Sequence, residues 1–279
     1  MFDSEAQVTI KPFNRNLGAT IIAQALSFGA DLAGIAPMTD VIQAPSFRIR
    51  DRLPEFDGVG TLPDSASQCD TGPWPAEARS AIVIAVAHPP DKPELDWWIT
   101  GPGSGNTAGN RLLMDIVDRL AAWLEKEAAI MSYRLPYHLE KGGVYMKDAA
   151  VMAGLGCIGR NNLLITPRFG PRLRLRVMLV DALLSSTGPI DYDPCSQCPR
   201  PCMAACPQQA FSKKIYDRMV CGIDTLPGRT GTYDRLRCNC QMESDEVHGR
   251  AAALEGRAEK GIQVKYCRSC ELACPAGNR

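Results

Sequence analysis

Three things this chain lacks narrow what it can be. It has no surplus of positive charge: 31 Lys and Arg are matched by 31 Asp and Glu, giving a formal net charge of zero. A protein that grips a nucleic-acid backbone needs a basic excess or stripe, so stable tRNA or DNA binding is not expected. It has no apolar run of about 18 residues, so no membrane span is expected. Its opening, MFDSEAQVTIKPFN, lacks the basic and then apolar pattern of a signal peptide. Histidine is scarce too, with only His88, His138 and His248. The first two fall at the ends of expected strands, where a structural hydrogen bond is the expected role.

Cysteine, by contrast, is plentiful. Twelve cysteines in a chain with no export pattern read as metal ligands in a reducing cytoplasm rather than as disulfides. Cys69 and Cys157 stand alone, and the other ten lie between 195 and 274. Length and composition allow one large domain and one small one: 279 residues, 45% of them hydrophobic. The cysteines place the metal chemistry in the small one.

The first group is Cys195-x2-Cys198-x3-Cys202-x3-Cys206-Pro207. It is one residue longer than the bacterial ferredoxin run C-x2-C-x2-C-x3-C-P, in which three cysteines wrap one cubane and the fourth ligates the other. The second, Cys267-x2-Cys270-x3-Cys274-Pro275, has the end of that pattern but lacks one cysteine. Exchange of ligands between the groups gives one [4Fe-4S] cluster Cys195, Cys198, Cys202 and Cys274. The other takes Cys206, Cys267, Cys270 and a fourth ligand, assigned to Cys221 with Cys238 or Cys240 as alternatives. CxxC pairs also build zinc sites. The C-x3-C-P step in both groups favours cubanes, and thiolates are soft ligands suited to iron–sulfur centres.

Upstream, residues 17–28 carry helical periodicity and end at Gly29. A short strand is expected at 31–37, a loop over 42–78, and a buried central strand at 81–88. Residues 108–130 read as an amphipathic helix with Leu112, Ile116, Leu120, Trp123 and Leu124 on one face. MSYRLPYHL reads as strand-like, 144–153 as helix and 163–167 as strand. Residues 173–184 form a strand whose Arg174 and Arg176 face solvent. Without a regular βαβ repeat the fold class is α+β rather than doubly wound. The boundary falls near 187–194, giving domains 1–189 and 190–279.

Gly154-x-Gly156-x-x-Gly159 matches GxGxxG, but the order here is helix, glycines, strand. A dinucleotide-binding unit needs strand, glycines, helix, so the Rossmann reading fails. Two readings of the turn stay open. It approaches a flat or phosphate-bearing ligand closely, with Arg160, Asn161 and Asn162 as donors, or it is a tight turn without a ligand.

Residues 147–181, KDAAVMAGLGCIGRNNLLITPRFGPRLRLRVMLVD, resemble a stretch of the epoxyqueuosine reductases, cobalamin-dependent iron–sulfur enzymes related to reductive dehalogenases. FGADLAGIAP (28–37) and ARSAIVIAVAHPP (78–90) resemble strands of the same family. The resemblance implies a nitroreductase-like corrinoid-binding domain with a C-terminal ferredoxin-like dicluster domain. It places Gly154, Leu155, Gly156, Cys157, Gly159, Arg160 and Asn161 against a cobalamin held base-off, without a protein ligand to cobalt. It also implies Cys221 in the second cluster and a ferredoxin or flavodoxin as electron donor.

Three departures stand out. The family's acid is an Asp in a D-x-G segment, and the matching position is Glu140, followed by Lys141 and Gly142. Glu140 is one methylene longer than Asp, and a plain surface role competes with proton delivery. Tyr145 is a second candidate donor, with helix packing as its competing role. The chain stops five residues after Cys274, where many epoxyqueuosine reductases continue into tRNA-holding repeats, which further lowers the expectation of tRNA binding. Cys238-Asn239-Cys240 is the third, expected to crowd two thiols onto one face. The expected activity is electron flow from two [4Fe-4S] clusters to corrinoid cobalt for reductive chemistry. The alternatives are a protein that reduces or reactivates a partner's corrinoid, and a dicluster electron carrier without corrinoid.

Overall fold

The computed structural model describes residues 15–53, 74–100, 105–137, 143–253 and 260–277. Glu140, His138 and Cys69 lie outside the described residues. The strands are β1 (Leu32–Pro37), β2 (Ser80–Ala87), β3 (Trp98–Thr100), β4 (Ser132–Arg134), β5 (Cys157–Ile158), β6 (Leu164–Ile165), β7 (Leu173–Val180), β8 (Arg250–Ala253) and β9 (Lys260–Val264).

β1, β2, β7 and β4 form one antiparallel sheet in the order β1-β2-β7-β4. Its centre is the SAIVIAVA strand, which is buried on both faces because helices cover both. Side chains alternate across a strand. Ile82, Ile84 and Val86 therefore meet Ile21, Leu113, Leu120 and Leu124 from the Arg15–Ser27 and Ala108–Ala128 helices. Ala81, Val83 and Ala85 face Ala149, Ala150, Leu155 and Phe47 on the other side. The small residues there let the Met146–Met152 helix, which leads into the glycine turn, lie close to the sheet.

The long helix buries Ile116, Leu120 and Leu124 of the expected face and packs Trp123 against the core, but Leu113 rather than Leu112 points inward. Leu112 is 48% exposed, while Leu113, Ile116, Val117, Leu120, Ala121 and Leu124 are buried. Thr107 caps it, its hydroxyl accepting the Asn110 N–H at 3.0 Å. Part of the expected loop over 42–78 is helical: Pro45–Arg48 and Arg50–Arg52 are short turns that bury Phe47 and Ile49.

The expected wet face of β7 is a second correction. Arg176 donates to Asn110 at 3.0 Å, and Arg174 pairs with Asp96 at 2.8 Å and Glu271 at 3.0 Å. The arginines are half-buried and meet the C-terminal segment and the start of the long helix as well as solvent. The halves of the chain also share a sheet: β3 pairs with β9, which pairs with β8. Residues 98–100, 250–253 and 260–264 thus join across the expected boundary at 189.

Candidate metal centre

Cys195, Cys198, Cys202 and Cys274 gather beside the turn that holds β5. Asp193 accepts the Cys195 N–H at 2.9 Å and is itself gripped by Arg229. Arg200 takes a left-handed conformation (φ 62°) that starts the Pro201–Ala204 turn and aims its N–H at the Cys198 sulfur, 3.4 Å away. Cys202 is buried in that turn. Burial pushes its thiol up to about 11, and Cys274, Cys195 and Cys198 push the same way. Cys274 is raised by burial and by Cys195 and Cys198, against the opposing pull of the Ala276 N–H and Arg172. The raised thiols of Cys202 and Cys274 resist ionisation, which a cationic metal centre would reverse, since coordination deprotonates a thiol outright.

The second gathering is Cys206, Cys238, Cys267 and Cys270. Burial lifts Cys270 to about 12, with Cys238, Cys267 and Cys206 adding to it. Cys238 is raised by burial and by Cys206 and Cys267, and lowered by a hydrogen bond from Tyr233. The Ala210 N–H points at the Cys206 sulfur at 3.3 Å. Among the described residues no group of three or more His, Cys, Asp or Glu side chains is placed to hold a single metal ion.

Cys221, the expected fourth member, is elsewhere. It ends the Arg218–Cys221 turn and packs against the cluster of Ile49, Tyr216, Ile223 and Leu226. Cys238 and Cys240 do not crowd one face, because a helix carries them: Cys238 is half-buried and Cys240 exposed. Cys157 sits near the first quartet, its thiol pushed to about 11 by burial, lowered by Arg229 and raised by Cys195 and Cys274.

The glycine turn lies between the quartets. A Cβ on Gly154 would strike the Thr187 carbonyl, and one on Gly156 the Ile165 carbonyl. On Gly159 it would come within 2.6 Å of the Ile165 side chain. These glycines therefore serve close packing within the chain. The polar residues that follow hold the cysteine segments. Arg160 Nε donates to the Cys195 carbonyl at 3.5 Å, and buried Asn161 donates to the Cys270 carbonyl at 3.3 Å. Asn162 accepts the Gly228 N–H at 2.8 Å, and its carbonyl accepts from Lys147 at 2.6 Å. Leu155 is buried in the core. Tyr145 packs edge-on to Phe47, with ring centroids 5.2 Å apart.

Sequence reasoning missed a buried polar knot under the second cysteine group. His88 Nδ1 lies 2.8 Å from Asp96, whose other oxygen is 2.6 Å from Arg268. Arg268 also reaches the His88 carbonyl at 2.6 Å and pairs with Glu271, which Arg174 meets from β7. The available signal was the alternation of arginines entering β7, set against an acid inside Cys270-Glu271.

No protein-family model matches the chain. It is 29% identical over 206 residues to an epoxyqueuosine reductase of Lactococcus garvieae, covering 71% of this chain and 52% of that one. An epoxyqueuosine reductase of Synechocystis sp. is 33% identical over 172 residues, covering 61% and 52%. A tetrachloroethene reductive dehalogenase of Desulfitobacterium hafniense is 37% identical over 97 residues, 30% of this chain and 17% of that one. Among solved structures, epoxyqueuosine reductase with an epoxyqueuosine-modified tRNA stem loop superposes with a TM-score of 0.61 at 20% identity, covering 93% of this chain and 65% of that one. A reductive dehalogenase described with B12-dependent dehalogenation gives 0.61 at 19%, covering 99% and 34%.

The chain is similar in sequence to epoxyqueuosine reductases and, over a shorter stretch, to a reductive dehalogenase, and it shares its fold with solved structures of both. It spans about half the length of the epoxyqueuosine reductases it matches. Thiols gathered in two sets, with the Arg200 N–H aimed at the Cys198 sulfur and the Ala210 N–H at the Cys206 sulfur, are a donor set whose chemistry fits iron–sulfur ligation. The glycine turn makes a weaker case for a corrinoid. Its Arg160 and Asn161 donors are directed at cysteine carbonyls, and its glycines are filled by the chain's own backbone. The corrinoid reading therefore rests on similarity to these proteins and not on that turn.

Proposed function

We propose that this chain is an iron–sulfur oxidoreductase of the corrinoid type, carrying electrons through two [4Fe-4S] clusters to a cobalamin for reductive chemistry. The observation that carries the reading is the pair of cysteine quartets held on either side of one turn. In this reading the first cluster takes Cys195, Cys198, Cys202 and Cys274, and the second takes Cys206, Cys267 and Cys270. Bound clusters of this kind supply one-electron transfer at roughly −400 mV, and a corrinoid supplies the reactive metal.

The chain's own residues do the positioning. Arg160 and Asn161 hold the two cysteine segments at a fixed separation, so the quartets stand next to each other as a relay. Asp193 and Arg229 fix the entry to the first quartet. The arginines of β7 tie the second cysteine group to the sheet. Of the residues proposed to touch cobalamin, Gly154, Cys157 and Arg160 are half-buried, as is Ile158 beside Cys157, while Leu155, Gly156, Gly159 and Asn161 are buried. His88 is buried against Asp96, and His248 bonds the Ser244 carbonyl at 2.6 Å, which suits a base-off cobalamin. Proton delivery is assigned to Glu140, with Tyr145 second. A ferredoxin or flavodoxin is the proposed donor in a cytoplasmic setting. The charge balance argues against a tRNA substrate, and among the described residues no helix is long and apolar enough to cross a membrane.

The test is anaerobic reconstitution followed by iron analysis, then ultraviolet–visible and EPR spectroscopy with added cobalamin. About eight irons per chain are expected, four for each cubane. A Co(II) spectrum without nitrogen superhyperfine splitting is expected for the base-off form. Tight zinc with almost no iron would remove the reading. Eight irons without cobalamin binding would leave a dicluster electron carrier.

A further inference from the structure

The Cys-Asn-Cys step at 238–240 lies on the Arg235–Val247 helix, which begins at Asp234, whose side chain accepts the Arg237 N–H at 3.1 Å. Asp234, Cys238, Gln241 and Asp245 follow one another at intervals of four, three and four. Residues so spaced share one face of a helix. The other three members of that face touch segments that carry cluster cysteines. The Asp234 N–H donates to the Ala210 carbonyl at 2.8 Å, and Ala210 in turn points its N–H at Cys206. Gln241 accepts from Gln208 at 3.1 Å, two residues past Cys206. Asp245 accepts the Cys267 N–H at 2.7 Å.

Cys238 is thus bracketed by anchors to Cys206 on one side and to Cys267 on the other. Its thiol is near enough to Cys206 and Cys267 to be raised by them, and Cys270 is raised in turn by Cys238, Cys267 and Cys206. Cys240 stands about 200° further round the helix, and it is exposed. Cys221 is anchored in a different place: it packs with Ile49 and Tyr216, and the carbonyl of the next residue, Gly222, accepts from Arg48 at 3.5 Å.

We propose that Cys238 is the fourth thiolate of the second cluster, completing Cys206, Cys267 and Cys270, and that Cys221 is not a ligand. The proposal rests on the iron–sulfur reading. It assigns a purpose to the 222–266 segment: a helix that brings one ligand down onto the cluster. Tyr233 adds a hydrogen bond to the Cys238 sulfur and stands beside Phe211, with ring centroids 5.8 Å apart. Hydrogen bonds to cluster sulfurs tune the potential, which makes Tyr233 a positioning residue for this ligand.

The test compares the full chain, reconstituted anaerobically, with Cys238→Ser and with the double variant Cys221→Ser/Cys240→Ser. Iron content and EPR of the reduced protein are the readouts. The double variant is expected to keep about eight irons and both cluster signals, and Cys238→Ser to lose the second cluster or convert it to a three-iron form. If Cys238→Ser fails to fold, the double variant still decides: retention of both clusters excludes Cys221 and Cys240, and loss of the second overturns the proposal. Cys238→Ser with eight irons and unchanged spectra overturns it as well. Wild-type protein without iron overturns the iron–sulfur reading instead, so the two failures are distinguishable.

Discussion

Arg172 donates to the carbonyl oxygen of Cys274 at 3.2 Å and to that of Ala276 at 2.8 Å, joining the start of β7 to the last cysteine of the chain. Arg172 and its bond to the Cys274 carbonyl are buried, so that carbonyl depends on it rather than on water. Arg172→Met keeps the aliphatic stem and removes the donors. A buried carbonyl left unpaired costs about 1–3 kcal/mol. The expected outcome is a lower denaturation midpoint together with faster loss of the first cluster to a chelator. Unchanged chelation kinetics would show that this contact does not secure Cys274.

Asp96 is expected to make stability acid-sensitive. Burial alone would lift its carboxyl, but the His88 hydrogen bond and the charges of Arg174 and Arg268 outweigh that and hold it below the ordinary range. A depressed carboxylate contributes stability that is fully present above its unfolded value, near 3.8, and is lost as pH falls through the folded value. The contribution should therefore be constant at neutral pH and fade below about pH 4. Asp96→Asn leaves two buried guanidinium groups short of a counter-charge. Breaking such a buried pair costs roughly 3–5 kcal/mol. Denaturant titrations of the metal-free chain between pH 3 and 7 would check both points: a large loss at pH 7, and a weaker acid dependence in the variant.

How much of this was legible in the sequence differs by element. Hydrophobic pattern located the central strand 80–87 and the long helix, because a buried strand and an amphipathic helix each announce themselves through neighbours in sequence. It gives Ile116, Leu120 and Leu124 but takes Leu112 in place of Leu113, since the two are equally apolar and only the packing against the sheet decides between them. The arginines of β7 were read as a wet face because alternation reports that a face is polar, not what covers it. The cover comes from Asp96 and Glu271, 78 and 97 positions away from Arg174. The first quartet could be read from spacing alone. The fourth thiol beside Cys206, Cys267 and Cys270 could not, because Cys221, Cys238 and Cys240 are equivalent until a helix turns one of them inward. Tyr145 and the turn residues kept two readings in sequence, and their surroundings in the fold weigh toward packing.

Cys240 should react freely without consequence. It is exposed and lies away from the helix face that carries Cys238. Alkylation of the reconstituted protein under anaerobic conditions is expected to modify Cys240 early, with iron content and EPR spectra unchanged. Peptide mass spectrometry identifies the site. Loss of the second cluster in step with Cys240 modification would mean that this thiol, and not its neighbour two residues earlier, holds the iron.

Gly156 separates the two readings of the glycine turn. If glycine were needed there so that a ligand could come close, Gly156→Ala would fold normally and lose only cobalamin affinity. In the structure the space a methyl group would fill is taken by the Ile165 carbonyl, part of the β5–β6 pairing in which Cys157 opposes Ile165. Backbone cannot swing away as a flexible side chain can, so the hairpin itself must open. Forced overpacking of this kind typically costs about 1–3 kcal/mol. The same hairpin carries Arg160 and Asn161, so their bonds to the Cys195 and Cys270 carbonyls should loosen with it. The expected result is a destabilised chain whose clusters are both more labile, whether or not cobalamin is added. A variant with wild-type stability and intact clusters, but with cobalamin binding abolished, would return the turn to the corrinoid.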